Sequence, residues 1–352
     1  TELHLVPGAA AIGHEIRVVG NDAGEQLSIL SGTIARLNRK APNYGRGKYN
    51  DFNTFYFQAA SGTSGGSSGS PVVNIEGDVV ALNAGANNSA ASSFFLPLDR
   101  IDRVLKLLQQ GKPVSRGTLQ TIFQFKPYDE LRRLGLTEDT EQFVRLAHPE
   151  QTGMLVVEQV ILGSDAAGKL APGDILIRVN GKLVTKFVLL ATIFDSNVEN
   201  KITIELERGG HHLTEEVLVD DLHSISPDEY IEFGDAIVHN LSYQQARHYN
   251  RPINGVYVSN PGYVFSRSAI PRGAVITEVD GITILSIADF EGILNGLGDR
   301  DRTTIRYKTI EDPRNSIVRS FEMDRRWFPA RHCQRDDSTG IWPCRNLVSG
   351  PD

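Results

Sequence analysis

A repeated segment in the second half of the chain constrains the fold most strongly. Residues 172–181 (PGDILIRVNG) recur in similar form at residues 272–281 (RGAVITEVDG). Each copy follows a strand-like apolar run and precedes a helical pattern that leads into another strand-like run. Self-similarity of this kind indicates copies of one structural unit. We therefore predict two small α+β modules, at residues 113–222 and 223–328.

The region before the repeat has a different pattern. Short β-rich runs, such as Ile16–Val19 and Val79–Leu82, are separated by turns rich in Gly, Asn and Asp. Many short strands at this spacing are typical of an antiparallel barrel or sandwich. A helical pattern over residues 99–110, stopped by Gly111, closes the region. We therefore predict a first, β-rich domain at residues 1–112.

Residues 329–352 mix charge, proline and glycine without periodicity, which predicts a linker or the start of a truncated further domain. Both cysteines of the chain, Cys333 and Cys344, lie in this segment, with His332 beside the first. Two thiols and one imidazole are too few ligands for a closed zinc site, so we expect no metal. Two cysteines in a chain of this length argue against a disulfide scaffold and favour a reducing compartment.

Composition excludes several classes of partner. The 352 residues carry a net charge of −7, so we expect no broad cationic face and no nucleic-acid partner. The chain has no apolar run of about 18 residues, so we expect no membrane-spanning segment. The motifs indicate no cofactor.

The segment Gly66–Pro71 (GSSGSP), between two strand-like runs, predicts a nucleophile loop. Serine becomes an effective nucleophile when a base takes its proton and hydrogen-bond donors stabilise the oxyanion. Small residues around Ser68 allow a tight turn that projects its hydroxyl, while the amides of Gly66 and Ser68 form the oxyanion hole. The alternative is a flexible Gly/Ser linker. A linker joins finished domains, however, whereas both neighbours here belong to one β region.

The loop resembles the Gly-Asn-Ser-Gly-Gly-Pro motif of the HtrA (DegP-type) serine proteases, with Ser68 at the nucleophile position. Residues 14–20, 79–84 and 94–99 resemble strands of that family's second barrel. Within the family, the Ser-rich loop most resembles that of the fungal nuclear HtrA-like pro-apoptotic proteases. The resemblance implies a mainly β fold with α+β modules, in which the C-terminal half of a trypsin-like double β-barrel precedes two PDZ-like domains.

The same resemblance implies an ATP-independent serine endopeptidase of protein quality control or apoptosis, in the nucleus and also in the cytoplasm. The family's catalytic histidine and aspartate lie in the first barrel, which this sequence lacks. His4 and His14 precede Ser68, but neither has the sequence context of the family's base. We therefore predict that the 352 residues alone cleave no peptide bond. The missing barrel would belong to a longer parent chain or to a separate chain.

Further site residues follow from the same resemblance. Asn83, Ala84 and Gly85 fall where the family forms a wall of the S1 pocket, and their small side chains predict a modest apolar P1 residue. Residues 37–53 resemble the mobile activation loop of the family, although a solvated surface also explains their charges.

PDZ domains bind extended C-terminal peptides by adding a strand to a sheet edge, next to a loop that captures the carboxylate. We expect those loops at residues 116–122 and 232–238, and predict five peptide-binding residues: Gly117, Thr118, Leu119, Phe233 and Gly234. Alternatively, one or both modules dock on the protease domain without binding free peptide. A further alternative for the whole protein is a pseudo-protease scaffold whose PDZ modules bind partner peptides.

Overall fold

The computed structural model of the chain describes residues 2–45, 49–87 and 92–347. It divides into two compact units. The first unit comprises Thr1–Gln159 and Gly168–Asp220, and the second comprises Val160–Ala167 and Asp221–Asp352. The first unit contains the barrel region and most of the first module.

The N-terminal region is a closed six-stranded barrel, which confirms the barrel prediction. Its antiparallel strands follow the order β1-β2-β3-β6-β5-β4 and leave no free edge within the barrel. The bounds are β1 Glu15–Gly20, β2 Ser28–Lys40, β3 Phe55–Ala60, β4 Pro71–Val73, β5 Val79–Asn87 and β6 Ser92–Pro97. The core of the barrel contains these buried strand residues: Ile16, Val18, Ile34, Ala59, Val72, Val80, Ala81 and Phe95. Helix α1, Asp99–Gln109, follows β6.

The first module is a sheet with helices. The elements are β7 Gly117–Thr118, β8 Thr121–Pro127, α2 Tyr128–Leu134, α3 Glu138–Ala147, β9 Gly153–Val160, β10 Ile175–Val179, β11 Lys182–Leu183, α4 Phe187–Asp195, β12 Lys201–Arg208, β13 His211–Leu218 and β14 Asp220–Asp221. The main sheet has the order β13-β12-β10-β9-β8, with β11 beside β10. Strand β8 is therefore an edge strand of this sheet.

The second module repeats the succession of strand, short strand, helix and strand found in β10, β11, α4 and β12. Its elements are β15 Glu229–Phe233, β16 Ala236–Asn240, α5 Tyr243–His248, β17 Val256–Asn260, α6 Gly262–Arg267, β18 Ala274–Val279, β19 Ile282–Thr283, α7 Ile287–Asn295, β20 Arg302–Thr309 and β21 Ile317–Glu322. Helix α7 begins with a capping box between Ser286 and Asp289, which satisfies otherwise free amide groups at that end.

The C-terminal segment differs from the predicted linker. Strands β22 (Arg331–Gln334) and β23 (Cys344–Asn346) extend the sheet of the second module to the order β21-β20-β18-β17-β16-β15-β22-β23. Ala330 and Leu347 are buried in the core of this module. The physical reason is long-range pairing: β22 pairs with β15, about a hundred residues earlier, and no local periodicity reports such a contact.

The two cysteines bear on the expectation of a reducing compartment. Cys333 and Cys344 lie opposite each other on β22 and β23 and form a disulfide. The cysteine count therefore no longer supports a reducing compartment. In the parts of the chain that the structure describes, no helix is both long and apolar enough to cross a membrane.

Candidate active site

The predicted nucleophile loop joins β3 to β4 of the barrel, and Ser68 lies exposed on it. Gly66 and Gly69 have positive φ angles of 103° and 82°, a region that favours glycine. A Cβ atom on Gly66 would lie 2.5 Å from both the Asn21 carbonyl oxygen and the Gly24 amide nitrogen. Backbone conformation and close packing therefore both require glycine at position 66.

The turn between β1 and β2 holds the loop from one side. The Asp22 carboxylate accepts a hydrogen bond from the Ser64 amide at 2.6 Å and from the Ser67 hydroxyl at 3.1 Å, both through Oδ1. In return, the Ala23 amide donates to Ser64 Oγ at 2.8 Å. The Ser64 amide is the main cause that lowers the pKa of Asp22 below its usual value. The carboxylate is therefore ionised at neutral pH, as an acceptor of two hydrogen bonds requires.

Asn83 on β5 holds the loop from the other side. Its Nδ2 donates to the Ser67 carbonyl at 2.8 Å, and its own carbonyl accepts the Gly69 amide at 2.7 Å. The Asn83 side chain is buried beneath the loop that it holds. Ala84 and Gly85 follow Asn83 on β5 and are half-buried. A role for these three residues in the wall of the S1 pocket stays a prediction.

The two predicted oxyanion donors are available. Within the described residues, the amides of Gly66 and Ser68 donate to no acceptor, whereas those of Ser67, Gly69 and Ser70 all donate to backbone carbonyls. Amides without acceptors on both sides of Ser67, next to an exposed hydroxyl, are what the predicted oxyanion hole requires.

The chain as described brings no base to Ser68. Over residues 2–45, 49–87 and 92–347, no histidine lies within hydrogen-bond distance of the Ser68 hydroxyl, and His4 instead contacts Asp78 at 3.0 Å. The same residues contain no group of three His, Cys, Asp or Glu side chains able to hold a metal ion.

The predicted carboxylate loop of the first module already has a carboxylate partner. The Gly117 amide donates to Asp195 Oδ1 at 2.9 Å, at the end of α4. Asp195 is buried, and Arg103 of α1 donates to its other oxygen at 2.7 Å. Thr118 and Leu119 are buried as well. The amide predicted to capture a peptide terminus is therefore bound to an internal aspartate.

The edge strand of the first module is covered by the barrel. Asn53 Nδ2 donates to the Thr121 carbonyl at 3.0 Å, and Asn53 Oδ1 accepts the Phe123 amide at 2.7 Å. Phe55 then packs against Phe125 and Phe187 with ring centroids 5.7 and 4.8 Å apart. Backbone groups with which an added peptide strand would pair are thus already bonded within the first unit.

The second predicted carboxylate loop is a hairpin turn instead. Gly234 and Asp235 both have positive φ angles, 53° and 62°, as two-residue type I′ hairpin turns require. The turn folds β15 back onto β16 and fills the edge that a peptide would use. Phe233 is fully buried and packs against three core rings, Phe265, Phe290 and Phe321. The expectation that Phe233 contacts peptide is corrected accordingly, because its side chain belongs to the core.

Three side chains that bond to the predicted site segments escaped the sequence analysis, namely Asp22, Asn53 and Asp195. The turn around Asp22 is visible as Asn-Asp-Ala-Gly, but that pattern reports a turn and not its partner. Asn53 and Asp195 carry no local signal, since their partners lie 68 and 78 residues away in the chain.

The closed barrel with an exposed loop serine, together with PDZ-like modules, defines a trypsin-like protease domain fused to PDZ domains. Residues 3–82 match the trypsin-like peptidase domain family, and residues 224–300 match the PDZ-like domain family. Over nearly its whole length the chain is similar to HtrA-type serine proteases.

Two relatives illustrate this similarity. Protease Do-like 7 of Arabidopsis thaliana is 47% identical over 99% of this chain and 33% of its own length. Pro-apoptotic serine protease NMA111 of Vanderwaltozyma polyspora is 46% identical over 98% of this chain and 35% of its own. The chain thus spans about a third of the length of these relatives.

Among solved structures, the HtrA-type protease AlgW with a decapeptide aligns with a TM-score of 0.41 and 19% identity. The alignment covers 62% of this chain and 64% of the other.

Proposed function

We propose that this chain supplies the nucleophile half of an HtrA-type serine endopeptidase. Ser68 attacks the scissile carbonyl, and the amides of Gly66 and Ser68 stabilise the oxyanion of the tetrahedral intermediate. The observation that carries the proposal is an exposed Ser68 beside two amides without acceptors in the described part of the chain. The similarity to HtrA-type proteases further implies that the activity is ATP-independent.

The base and its orienting aspartate come from outside these residues in this proposal. Acyl transfer to serine needs a general base within hydrogen-bond reach of the hydroxyl. The described chain brings none to Ser68, so we infer that a preceding protease barrel provides both, in a longer parent chain or as a separate chain. The 352 residues alone then hydrolyse no peptide bond. Ala84 and Gly85 leave room for a modest apolar P1 residue in a protein or peptide substrate.

The biological setting follows from the relatives. The fungal relatives are named pro-apoptotic, which supports a role in apoptosis-related proteolysis, and protein quality control is the broader role of such an endopeptidase. The nuclear location remains part of the proposal.

The second candidate function is a pseudo-protease scaffold whose PDZ modules recruit peptides. The absence of a base near Ser68 in the described residues favours it. The scaffold is opposed by the state of the two sheet edges to which a peptide would add. Asn53 is already bonded to β8, and β15 is already paired with β16. The enzyme is therefore the better-supported proposal.

Labelling with a fluorophosphonate, which reacts with activated serines, tests both candidates. The 352-residue chain and a longer polypeptide that includes the preceding barrel are labelled in parallel, and mass spectrometry locates the adduct. We expect an adduct on Ser68 of the longer polypeptide only, and none after Ser68→Ala. An unlabelled longer polypeptide, with a control protease labelled, would support the scaffold. Labelling of the 352-residue chain would overturn the inferred external base.

A further inference from the structure

The turn between β1 and β2 packs closely beneath the nucleophile loop. A Cβ atom on Gly20 would lie 2.1 Å from Ser70 Oγ, and one on Gly66 would collide with the turn backbone. Between these two contacts, the Asp22 carboxylate holds both Ser64 and Ser67. The end of β1 and the turn that follows it therefore contact the loop at its start, middle and end.

Ser67 is the central residue of this arrangement. It is 1% exposed and lies between the two residues whose amides would stabilise the oxyanion. Its hydroxyl is held by Asp22 and its carbonyl by Asn83. The Ser67 carbonyl and the Ser68 amide belong to one planar trans peptide and point in opposite directions. Fixing the carbonyl on Asn83 therefore fixes the direction of the Ser68 amide.

We propose that Asp22 is a positioning residue for the nucleophile loop, which it anchors through Ser64 and Ser67 so that the two oxyanion amides stay aimed at the substrate. The proposal rests on the proposed function, because it assigns a role in the reaction of Ser68. Asp22 touches neither the substrate nor the Ser68 hydroxyl and acts through Ser67.

The carboxylate suits this task better than a neutral acceptor. Hydrogen bonds to an ionised acceptor are shorter and stronger than neutral ones. Without the carboxylate, the buried Ser67 hydroxyl would lose the acceptor it has in this structure, and the Ser64 amide would lose its own. The anchor also lies wholly within the barrel, so the loop is ordered by this chain without a second barrel.

Hydrogen exchange on the 352-residue chain tests the anchor without requiring activity. We expect Asp22→Ala to raise amide exchange within residues 61–70 by about tenfold or more, while β3 and β4 stay protected. Asp22→Asn keeps one acceptor oxygen and should produce a smaller increase. Asp78→Ala is the matched control, because Asp78 is a turn carboxylate of the same barrel that contacts His4 and not the loop. Equal exchange in the Asp22 and Asp78 variants would overturn the proposal.

The role in the reaction is tested in the longer polypeptide. Asp22→Ala should slow fluorophosphonate labelling of Ser68 roughly 10- to 100-fold, a fraction of the loss from deleting oxyanion donors. With a peptide substrate, kcat should fall while KM stays within about twofold, because the oxyanion forms only in the transition state. Asp22→Asn should restore part of kcat.

Two results separate this proposal from the proposed function. If the unsubstituted longer polypeptide is not labelled, the proposed function fails, and the role of Asp22 in the reaction fails with it. If it is labelled and Asp22→Ala reacts at the same rate, the proposed function stands and Asp22 is not a positioning residue. Should Asp22→Ala fail to fold, Asp22→Asn and Ser67→Ala give the same comparison.

Discussion

Removal of the Asn53 side chain should expose the edge of the first module. Asn53 supplies a donor to the Thr121 carbonyl and an acceptor to the Phe123 amide, and both of those residues are buried. A buried polar group that loses its partner costs about 1–3 kcal/mol. Two such groups, partly rehydrated at a sheet edge, give an expected cost of about 2–4 kcal/mol.

The choice of replacement separates the cost of the lost side-chain hydrogen bonds from the cost of the backbone conformation. Asn53 has a positive φ of 51°, a conformation that glycine adopts readily and alanine does not. Asn53→Gly therefore reports mainly the lost hydrogen bonds. Asn53→Ala should cost about 1–2 kcal/mol more, because the left-handed conformation is unfavourable for a residue with a Cβ atom.

Hydrogen exchange of the Phe123 amide is the appropriate assay, since it reports local opening of β8. A cost of about 2–4 kcal/mol corresponds to exchange about 30- to 700-fold faster in Asn53→Gly, at about 1.4 kcal/mol for each factor of ten. Asn43→Gly is the control, because Asn43 is exposed and its side chain accepts a local hydrogen bond from the Gly45 amide. Exchange at Phe123 that changes by less than about threefold would refute the assignment of Asn53 as the cover of this edge.

Three further predictions concern single side chains. Tyr56→Phe should destabilise the barrel by about 1.5–3 kcal/mol, because the buried hydroxyl donates to the Asp51 carboxylate. Burial raises the pKa of Tyr56 above its ordinary value near 10, so the stability that the neutral phenol confers is present below pH 10 and falls as pH rises further. Burial raises the pKa of Tyr128 as well, so urea unfolding from pH 8 to 11 should show a larger loss in the parent than in Tyr56→Phe. Gly66→Ala should abolish Ser68 labelling of the longer polypeptide, since the Cβ atom would collide with the β1–β2 turn, and a labelling rate within about twofold of the parent would contradict this. Phe233→Ala should destabilise the second unit by about 3–5 kcal/mol through a core cavity, measured by tryptophan fluorescence during urea unfolding, whereas a cost below about 1 kcal/mol would show that the ring is not a core residue.

The fold was accessible from sequence where its signals are local. Turn residues and short apolar runs predicted the barrel, because strand alternation and turn chemistry are set by neighbours in the chain. The loop around Ser68 was accessible for the same reason, since Gly66 and Gly69 meet a backbone requirement at their own positions. The C-terminal strands β22 and β23 were missed because their pairing partner is remote in sequence.

The peptide sites of the two modules show the same division more sharply. Segments 116–122 and 232–238 resemble carboxylate loops, but a loop pattern does not report whether its groups are already bonded. In the structure, Asp195 takes the Gly117 amide and β15 covers β16. Hydrogen bonding between distant segments, and not loop composition, decided whether the backbone groups at these sites are already bonded.

The amino-acid sequence by itself determined the strand-rich N-terminal region, the module pattern and the position of the nucleophile loop, because each depends on interactions between near neighbours. Tertiary structure alone decided what holds the loop and what covers the edges. Asp22 meets Ser67 across 45 residues of chain, and Asn53 meets Thr121 across 68. Contacts at such separations form only when the barrel and the sheet bring the segments together, since buried donors and acceptors must be paired wherever the fold places them.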